Sequence, residues 1–542
     1  MGETTLPSNL SGNRIRITIV LAAILALAAV RLPSVWYRMG GQDEQWFSVP
    51  GWTVAHEGLP RIPYVPVREP GSVFYGADRI LFALPPAYFY VQSPFFWLFP
   101  PGYGTARLAA WAAGIFALWW LYGLMRTWNV RLSICLLALT VCAFGRAFYF
   151  PWQDTRPDML CAMFGLAALA LLARRTETTP STSLWGVGAC VGLGMLSHPF
   201  ALVYALQIGM WLMWQARSWR KRLLDCGIAG MSALAAFALW LPLIAREPAL
   251  FQAQFFGNVL SRSGPGLVSR LLWPWTYVPF QTTLIAERLG AYQLMLLVAT
   301  LVAGLVAVCA VILRQRRASC PATEPEAAGT AAGRLPIATW LAVSALYLHV
   351  ATLGFHPAKG YLCYTWAMLA LLLAVLLENA SRRLARPALR KLLIVAATFG
   401  LILVLAPGSG LRATWTYATR YREVNYNRQA FVKAIDQRLP PGARLIVSPE
   451  YVFEFELLGR RPLNASRLKL YHDVEGIQFD YLLASTQAFD EGIPEQLKCE
   501  LAWTLGDSSD PLACYVEVYS PTTQTPQTRP WPRQDNEDKW GR

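Results

Sequence analysis

An acidic pair, Asp43-Glu44, follows the first apolar segment of the chain and shortly precedes Trp46. Adjacent carboxylates of this kind are candidates for a general base, a metal ligand or a cation site. A pair of solvated loop acids is the simpler alternative, and the residue types alone leave these readings open. The pair is nevertheless the strongest local signal for chemistry in the sequence.

Positive charge next to small or aromatic residues marks two further motifs, Arg-Pro-Asp at 156–158 and Lys-Gly-Tyr at 359–361. Arg156 and Lys359 are suited to hold a phosphate or another developing anion. Each residue also has a structural alternative, because Arg156 could snorkel at an interface or pair with a neighbouring aspartate and Lys359 could be a topological anchor. Asp158 could simply stabilise the start of a helix.

Aromatic and imidazole side chains accompany these charges. Tyr88 follows a Pro-Pro-Ala sequence, Tyr361 closes the second motif, and His198 and His356 each precede a proline. They are candidates for contacting a substrate. A histidine without a visible partner is more often a turn or packing residue, so the structural alternative is strong for both histidines.

The motifs of several soluble enzyme classes are missing from the sequence. It contains no Gly-rich phosphate loop, no Cys/His metal cluster and no nucleophile elbow. A site for a soluble nucleotide sugar is therefore not supported, no cofactor is indicated, and the involvement of a divalent cation stays open.

The elements that must position these residues are membrane spans. Hydrophobic residues make up 55% of the 542 residues and charged residues only 15%, and the apolar residues occur in blocks long enough to cross a bilayer. The sequence therefore predicts an all-α polytopic membrane bundle of about eleven spans. They are expected at 17–34, 104–125, 132–150, 157–173, 184–197, 200–214, 226–245, 291–313, 335–354, 361–377 and 392–406.

Residues 80–99 are apolar enough to be a twelfth span, and counting them would reverse the side of every later loop. Without this crossing, the basic clusters near residues 126, 174, 220, 316 and 386 all lie on the cytoplasmic side, as the positive-inside rule requires. We therefore expect 80–99 to lie in the outer interface. The net charge of +15 then records membrane orientation, and no nucleic-acid partner is predicted.

This orientation predicts a multi-pass protein of the plasma (inner) membrane with a cytoplasmic N-terminus. Residues 1–411 would form the transmembrane module, with a long outer loop at 35–103. Residues 412–520 would form a small extracytoplasmic α/β domain, because short strand patterns follow a helical one, and 521–542 would be a disordered tail. Cys499 and Cys514 flank a turn between two predicted strands, which suggests a disulfide.

Several segments together resemble the bacterial members of the dolichyl-phosphate-mannose-protein mannosyltransferase family, glycosyltransferase family 39, and the related lipid A aminoarabinose transferases. The resemblance rests on the order of short motifs along most of the chain. They are the acidic pair at 43–44, Gly-Leu-Pro at 58–60, Pro-Pro-x-Tyr at 85–88, Ala-Arg-Leu at 106–108, Arg-Pro-Asp-Met-Leu at 156–160 and Lys-Gly-Tyr-Leu at 359–362. One position departs from the family, since relatives often carry a polar residue such as lysine where this chain has Leu84.

The resemblance implies a GT-C fold and inverting transfer of a sugar from a polyprenyl-phosphate donor to an acceptor on the outer face. The family's catalytic base maps to Asp43, and Glu44 would orient the acceptor or hold a cation. Arg156 and Lys359 would lie near the donor phosphate, with Asp158, His356, Tyr88 and Tyr361 as further binding residues. The partners would be the lipid-linked donor, membrane lipids, and an acceptor that is lipid, glycan or protein.

Two other functions compete with sugar transfer. A transporter or flippase of lipid-linked sugars would also need many spans, but the polar residues cluster at one side and no inverted repeat is visible. A structural protein whose outer domain binds a partner would not need eleven spans. Sugar transfer is therefore the leading prediction.

Overall fold

The apolar blocks of the sequence form helices in the computed structural model, which describes residues 9–41, 43–69, 71–175, 179–215, 218–257, 266–317, 331–356, 360–466 and 477–522. The first half contains α1 Asn9–Tyr37, α2 Glu44–Phe47, α3 Val49–Glu57, α4 Ala87–Leu98, α5 Tyr103–Thr127, α6 Leu132–Phe144, α7 Arg146–Gln153, α8 Asp158–Ala173, α9 Leu184–Ser197, α10 Leu202–Gln215, α11 Trp219–Phe237, α12 Leu241–Ile244 and α13 Pro248–Phe251. A π-helical turn, Gln252–Phe256, follows α13. The second half contains α14 Leu267–Leu272, α15 Val278–Arg317, α16 Ala331–Leu353, α17 Leu362–Arg383, α18 Pro387–Leu405, α19 Leu411–Arg420 and α20 Arg428–Asp436.

Seven helical segments in the described part of the chain are long and apolar enough to cross a membrane, and the bent pair α6–α7 would make an eighth. Three shorter apolar helices, Asp158–Ala173, Ser181–Ser197 and Pro199–Trp214, occupy three more of the predicted spans. The helical membrane bundle is thus confirmed, while the count of eleven crossings stays a prediction.

The bend between α6 and α7 brings the Arg-Pro-Asp motif to its place. The two helices meet at 64°, and Gly145 between them has an extended backbone with φ −67° and ψ 127°. A Cβ at Gly145 would lie 1.9 Å from the indole nitrogen of Trp366, so only glycine lets α17 pack this closely. Helix α7 then leads directly into the turn at 154–157.

The segment between α1 and α5 is folded around short helices rather than extended. Gln254, which is fully buried, accepts hydrogen bonds from the backbone N–H groups of Phe82 and Ala83 at 2.6 and 3.0 Å. Its amide donates to the carbonyls of Tyr75 and Ile80, both at 2.9 Å. Helix α4 has 12 residues, or about 18 Å at the α-helical rise, and a bilayer core is about 30 Å thick. This length agrees with an interfacial segment that does not cross.

A five-stranded sheet with short helices follows the bundle, where the sequence predicts a small α/β domain. Its elements are β1 Leu445–Val447, α21 Val452–Leu457, β2 Leu463–Asn464, β3 Tyr481–Ala484, α22 Thr486–Asp490, α23 Ile493–Gln496, β4 Cys499–Gly506 and β5 Tyr515–Pro521. The order is β2-β1-β3-β5-β4, with β1 parallel to β2 and β3 and the other pairs antiparallel. The predicted boundary at 412 falls one residue after α19 begins. Strand β5 reaches Pro521, and 523–542 of the predicted tail lie outside the described residues.

The predicted disulfide is wrong. Cys499 pairs with Pro521 at one end of the β4–β5 hairpin, whereas Cys514 precedes Tyr515, which pairs with Gly506 at the other end. Seven residues of strand separate the two ends, or about 23 Å, whereas a disulfide requires α-carbons less than about 7 Å apart. Both cysteines are free thiols. The sequence showed that they flank a turn but not the strand register that separates them.

The sheet domain packs directly on the membrane module. The ring of Phe453 in α21 makes edge-to-face contacts with Phe96 in α4 and Tyr103 in α5, with centroid distances of 6.2 and 5.4 Å. One continuous cluster of buried apolar side chains runs through both parts. The domain is therefore joined to the bundle beside the acidic pair.

Candidate active site

Glu44 is a buried anchor at the centre of the acidic loop, which we define as residues 38–41, 43 and 44. Its side chain is 1% exposed. Arg107 of α5 donates to both carboxylate oxygens, from Nε to Oε1 at 2.7 Å and from Nη2 to Oε2 at 2.6 Å. The backbone N–H groups of Thr155 and Gly41 donate to the same carboxylate, each at 2.8 Å. Both oxygens of the carboxylate are thus hydrogen-bonded within the protein, so we assign Glu44 a positioning role.

The protonation of Glu44 follows from these contacts. Burial alone would raise the pKa of the carboxyl group, but the charge and hydrogen bonds of Arg107, together with Arg38 and the Thr155 N–H, lower its pKa to about 2. The side chain therefore stays ionised at every physiological pH.

Arg107 holds the acidic loop from the bundle side. Besides Glu44, it donates to the backbone carbonyls of Val35, Arg38 and Met39 at 3.1, 2.8 and 2.7 Å. Its side chain is fully buried. In the sequence this arginine is recognisable only as part of a helix start, because nothing there shows that it faces Glu44.

Asp43 differs from its neighbour in exposure. Its side chain is 51% exposed, and its Oδ2 accepts a hydrogen bond from Nη1 of Arg156. Arg156 is 7% exposed, donates from Nε to Oδ2 of Asp158 at 2.8 Å, and lies 5.6 Å from the centroid of the Tyr361 ring. The structure thus brings together four of the residues singled out in the sequence, with Asp43 the accessible one.

Two buried polar atoms beside this cluster lack partners. The Tyr88 hydroxyl and Asp158 Oδ1 have no hydrogen-bond partner among the described residues, and both side chains are fully buried. Burial, with the negative charges of Glu44 and Asp158, raises the pKa of Tyr88 well above its ordinary value, so the hydroxyl is a neutral donor. Unpaired buried polar groups are uncommon in folded proteins, and these two leave a donor and an acceptor available to a ligand or an ordered water.

A third unpaired group, Arg288 in α15, was missed in the sequence analysis. It is 9% exposed, and its Nε and Nη2 have no partner within the ranges that the structure describes. Its guanidinium carbon lies 3.3 Å from the centroid of the Phe150 ring. Its charged neighbours are Arg156, Arg146 and Arg38, all cationic. A buried cation among cations is strongly unfavourable unless an anion joins it.

An aromatic wall continues from Tyr361. The Phe200 ring stacks on Tyr361 and Tyr364 at 5.0 and 4.9 Å, and His198 lies 4.9 Å from Tyr361. Nδ1 of His198 accepts from the Phe200 N–H at 3.1 Å. Burial, and repulsion from Arg156 and His356 against the attraction of Asp158, lower the pKa of His198 to about 4, so this histidine is neutral at physiological pH. His356 adjoins the wall, and its backbone carbonyl accepts from Gln281 at 3.2 Å.

Two sequence-derived candidates are placed less directly. Lys359 lies outside the described residues, but a Cβ at its neighbour Gly360 would lie 2.7 Å from the guanidinium carbon of Arg156. No group of three or more metal-ligating side chains occurs in the part of the chain that was described, and both Asp43 and Asp158 are already paired with Arg156.

Comparison with known proteins fits this geometry. Residues 83–243 match the model of the family described as dolichyl-phosphate-mannose-protein mannosyltransferase. The fold is similar to that of ArnT from Cupriavidus metallidurans bound to undecaprenyl phosphate, with a TM-score of 0.53, 14% identity, and coverage of 93% of this chain and 97% of that one. It is also similar to the arabinofuranosyltransferase AftD from Mycobacteria, with a TM-score of 0.50, 13% identity, and coverage of 93% and 40%. No curated protein sequence matches the chain.

These matches define the fold: the chain has the GT-C glycosyltransferase fold, with the family match confined to residues 83–243. The matched segment contains Tyr88, Arg107, Arg156 and Asp158, whereas Asp43 and Arg288 lie outside it. At this level of identity the structural similarity is one of fold, so the donor, the acceptor and the roles of individual residues need their own arguments.

Proposed function

We propose that the protein transfers a sugar from a polyprenyl-phosphate donor to an acceptor on the extracytoplasmic face, with inversion at the anomeric carbon. The observation that carries the proposal is an accessible carboxylate, Asp43, beside two buried arginines, Arg156 and Arg288. A carboxylate can deprotonate the acceptor hydroxyl, and arginines can stabilise a phosphate leaving group. The groups needed for the two parts of a glycosyl transfer therefore lie next to each other.

The phosphate is proposed to bind between Arg156 and Arg288. The unpaired Nε and Nη2 of Arg288 are donors already held in place, and fixed donors in a partly desolvated site stabilise developing negative charge strongly. The Tyr88 hydroxyl would add a neutral donor. Arg288 would supply the cation that relatives often place before Pro-Pro and that Leu84 does not provide. Donors with undecaprenyl or dolichyl chains both fit this chemistry.

The transfer step is a single displacement. The acceptor hydroxyl oxygen forms a bond to the anomeric carbon while the bond from that carbon to the phosphate oxygen breaks. The acceptor proton passes to Asp43, and the bonding electrons leave with the polyprenyl phosphate, which gains one negative charge held by the arginines. Attack from the face opposite the phosphate gives inversion.

The orientation follows from the basic clusters of the sequence, which lie on the other side from Asp43 and Arg156. We therefore place the N-terminus in the cytoplasm, and the sheet domain and the site outside the plasma membrane. The acceptor would approach from the aqueous side, where Asp43 is half exposed.

The direct test uses the purified full chain in proteoliposomes with a set of undecaprenyl-phosphate sugars, each radiolabelled in the sugar, and bacterial membrane extract as the acceptor source. Transfer of label with release of undecaprenyl phosphate supports the proposal. Transfer from nucleotide sugars alone, or movement of intact donor across the bilayer without cleavage, would refute it, and the second result would identify a flippase.

Gly360→Ala is expected to weaken binding of undecaprenyl phosphate about tenfold to a hundredfold, the range for losing a hydrogen bond to a charged group. A Cβ there would lie 2.7 Å from the guanidinium carbon and Nη2 of Arg156, so the arginine must shift away from the phosphate. Lipid titration followed by native mass spectrometry measures the change. Gly71→Ala is the matched control, because a Cβ at Gly71 meets nothing within 4 Å. Unchanged affinity in Gly360→Ala would remove Arg156 from the phosphate site.

A further inference from the structure

A buried ion pair of the sheet domain lies against the acidic loop. Arg428 begins helix α20 and Glu454 lies in α21, and their side chains are 1% and 6% exposed. Nε of Arg428 donates to Oε1 of Glu454. Burying two charges away from water is costly unless further contacts satisfy them. The other hydrogen-bond partners of Arg428 and Glu454 therefore show what stabilises the pair.

Those partners belong to the membrane module. Nη1 of Arg428 donates to the backbone carbonyl of Arg38, the same carbonyl that accepts from Arg107 at 2.8 Å. Oε1 of Glu454 accepts from the backbone N–H of Tyr103 at 3.1 Å. The carbonyl at the start of the acidic loop is therefore held by two arginines, one from the bundle and one from the sheet domain.

Backbone contacts reinforce this junction. The N–H of Gly40 donates to the carbonyl of Glu450 at 3.2 Å, and the Tyr103 hydroxyl donates to the carbonyl of Pro449 at 2.5 Å. A Cβ at Gly40 would lie 2.7 Å from the Tyr103 ring and 2.9 Å from the Glu450 carbonyl. The loop is thus fitted between α5 and the sheet domain with no room for a side chain.

We propose that Arg428 is a positioning residue for Asp43, so that the sheet domain completes the catalytic site. The inference rests on the proposed function for the meaning of Asp43. Asp43 is three residues after Gly40 and directly precedes Glu44, and Arg107 fixes the loop only from the bundle side. Contacts from Arg428 and from the Glu450 carbonyl fix it from the opposite side and set where the Asp43 carboxylate projects.

The test combines hydrogen exchange with transfer kinetics in the full chain. In Arg428→Met, the amides in peptides covering 38–47 should exchange at least about tenfold faster, since the loop loses the donor that holds the Arg38 carbonyl from the sheet-domain side, while peptides from α8 and α17 keep their exchange rates. With the donors above, kcat should fall at least about tenfold and KM for the donor should change less than about threefold. The matched control is Arg460→Met, which removes an arginine that pairs with Asp436 inside the sheet domain.

The experiment distinguishes failure of the positioning role from failure of the proposed enzyme activity. Unchanged exchange at 38–47 in Arg428→Met overturns the positioning role, even if the wild-type protein transfers sugar. Faster exchange in a protein that never transfers sugar supports the link between domain and loop and refutes the proposed function. Should Arg428→Met also raise exchange throughout 428–520, the domain has unfolded and Arg428→Lys decides. Arg428→Lys keeps the positive charge beside Glu454. If this variant has the exchange rates and the kcat of the wild type, the Arg428 guanidinium is not needed at the Arg38 carbonyl and the proposal is overturned.

Discussion

Asp43→Asn is expected to lower the rate of sugar transfer by about 10²- to 10⁴-fold, the usual contribution of a general base. Asparagine has the shape of aspartate and can still accept a hydrogen bond from Arg156, but it cannot take the acceptor proton. Binding of the lipid donor should therefore stay close to wild type. The measurement is the initial rate at saturating donor, beside the donor affinity of the same preparation.

The matched control for this variant is Glu57→Gln. Glu57 belongs to the same outer loop and pairs with Arg61 on the surface, so neutralising it changes the local charge equally without touching the site. We expect the control to retain the wild-type rate. A rate within about twofold of wild type in Asp43→Asn would exclude Asp43 as the base.

Arg107→Met is expected to destabilise the protein by about 3–5 kcal/mol, the typical cost of removing one partner of a buried ion pair. The substitution leaves Glu44 buried without its main counter-ion and removes the hydrogen bonds from Arg107 to three backbone carbonyls. The measurement is the apparent unfolding temperature in detergent. Arg382→Met, which loses a half-exposed partner of Glu378, should change stability much less.

The pH dependence of unfolding tests whether the ionised Glu44 carboxylate stabilises the fold. The pKa of Glu44 is about 2 in the folded protein and 4.5 for an unperturbed glutamate of the unfolded chain, so the carboxylate contributes its full stability above pH 4.5 and loses it as pH falls from 4.5 toward 2. The difference corresponds to about 3 kcal/mol. Glu44→Gln should therefore flatten the stability curve in that window. An equally steep fall in this variant would assign the acid sensitivity to other groups.

Much of the fold could be predicted because membrane spans and strands leave strong local patterns. The blocks around 104–125 and 361–377 became α5 and α17, and the runs at 445–447 and 481–484 became two parallel strands. The disulfide prediction failed for a different reason. Cys499 begins β4 and Cys514 directly precedes β5, and an antiparallel hairpin joins the end of the first strand to the start of the second, so the two cysteines lie at opposite ends.

Some residues of the site could likewise be predicted from the sequence and others could not. Asp43, Arg156 and Asp158 could be grouped because the positive-inside rule put their segments at one face of the bundle, and the structure places them in contact. Arg107 and Arg288 could not be assigned roles, because the sequence does not show which groups a buried arginine contacts. The contrast between Asp43 and Glu44 was equally hidden, since exposure distinguishes two adjacent carboxylates that the sequence treats alike.

Comparing the binding of undecaprenyl phosphate with that of undecaprenol most directly tests the proposed phosphate site between Arg156 and Arg288. We expect the wild-type protein to bind the phosphate lipid at least about tenfold more tightly than the alcohol, the lower range for a charged hydrogen bond, and Arg288→Met to lose most of that preference while binding undecaprenol as before. Equal affinity of the wild-type protein for the two lipids, or an undiminished preference in Arg288→Met, would contradict a phosphate site between Arg156 and Arg288.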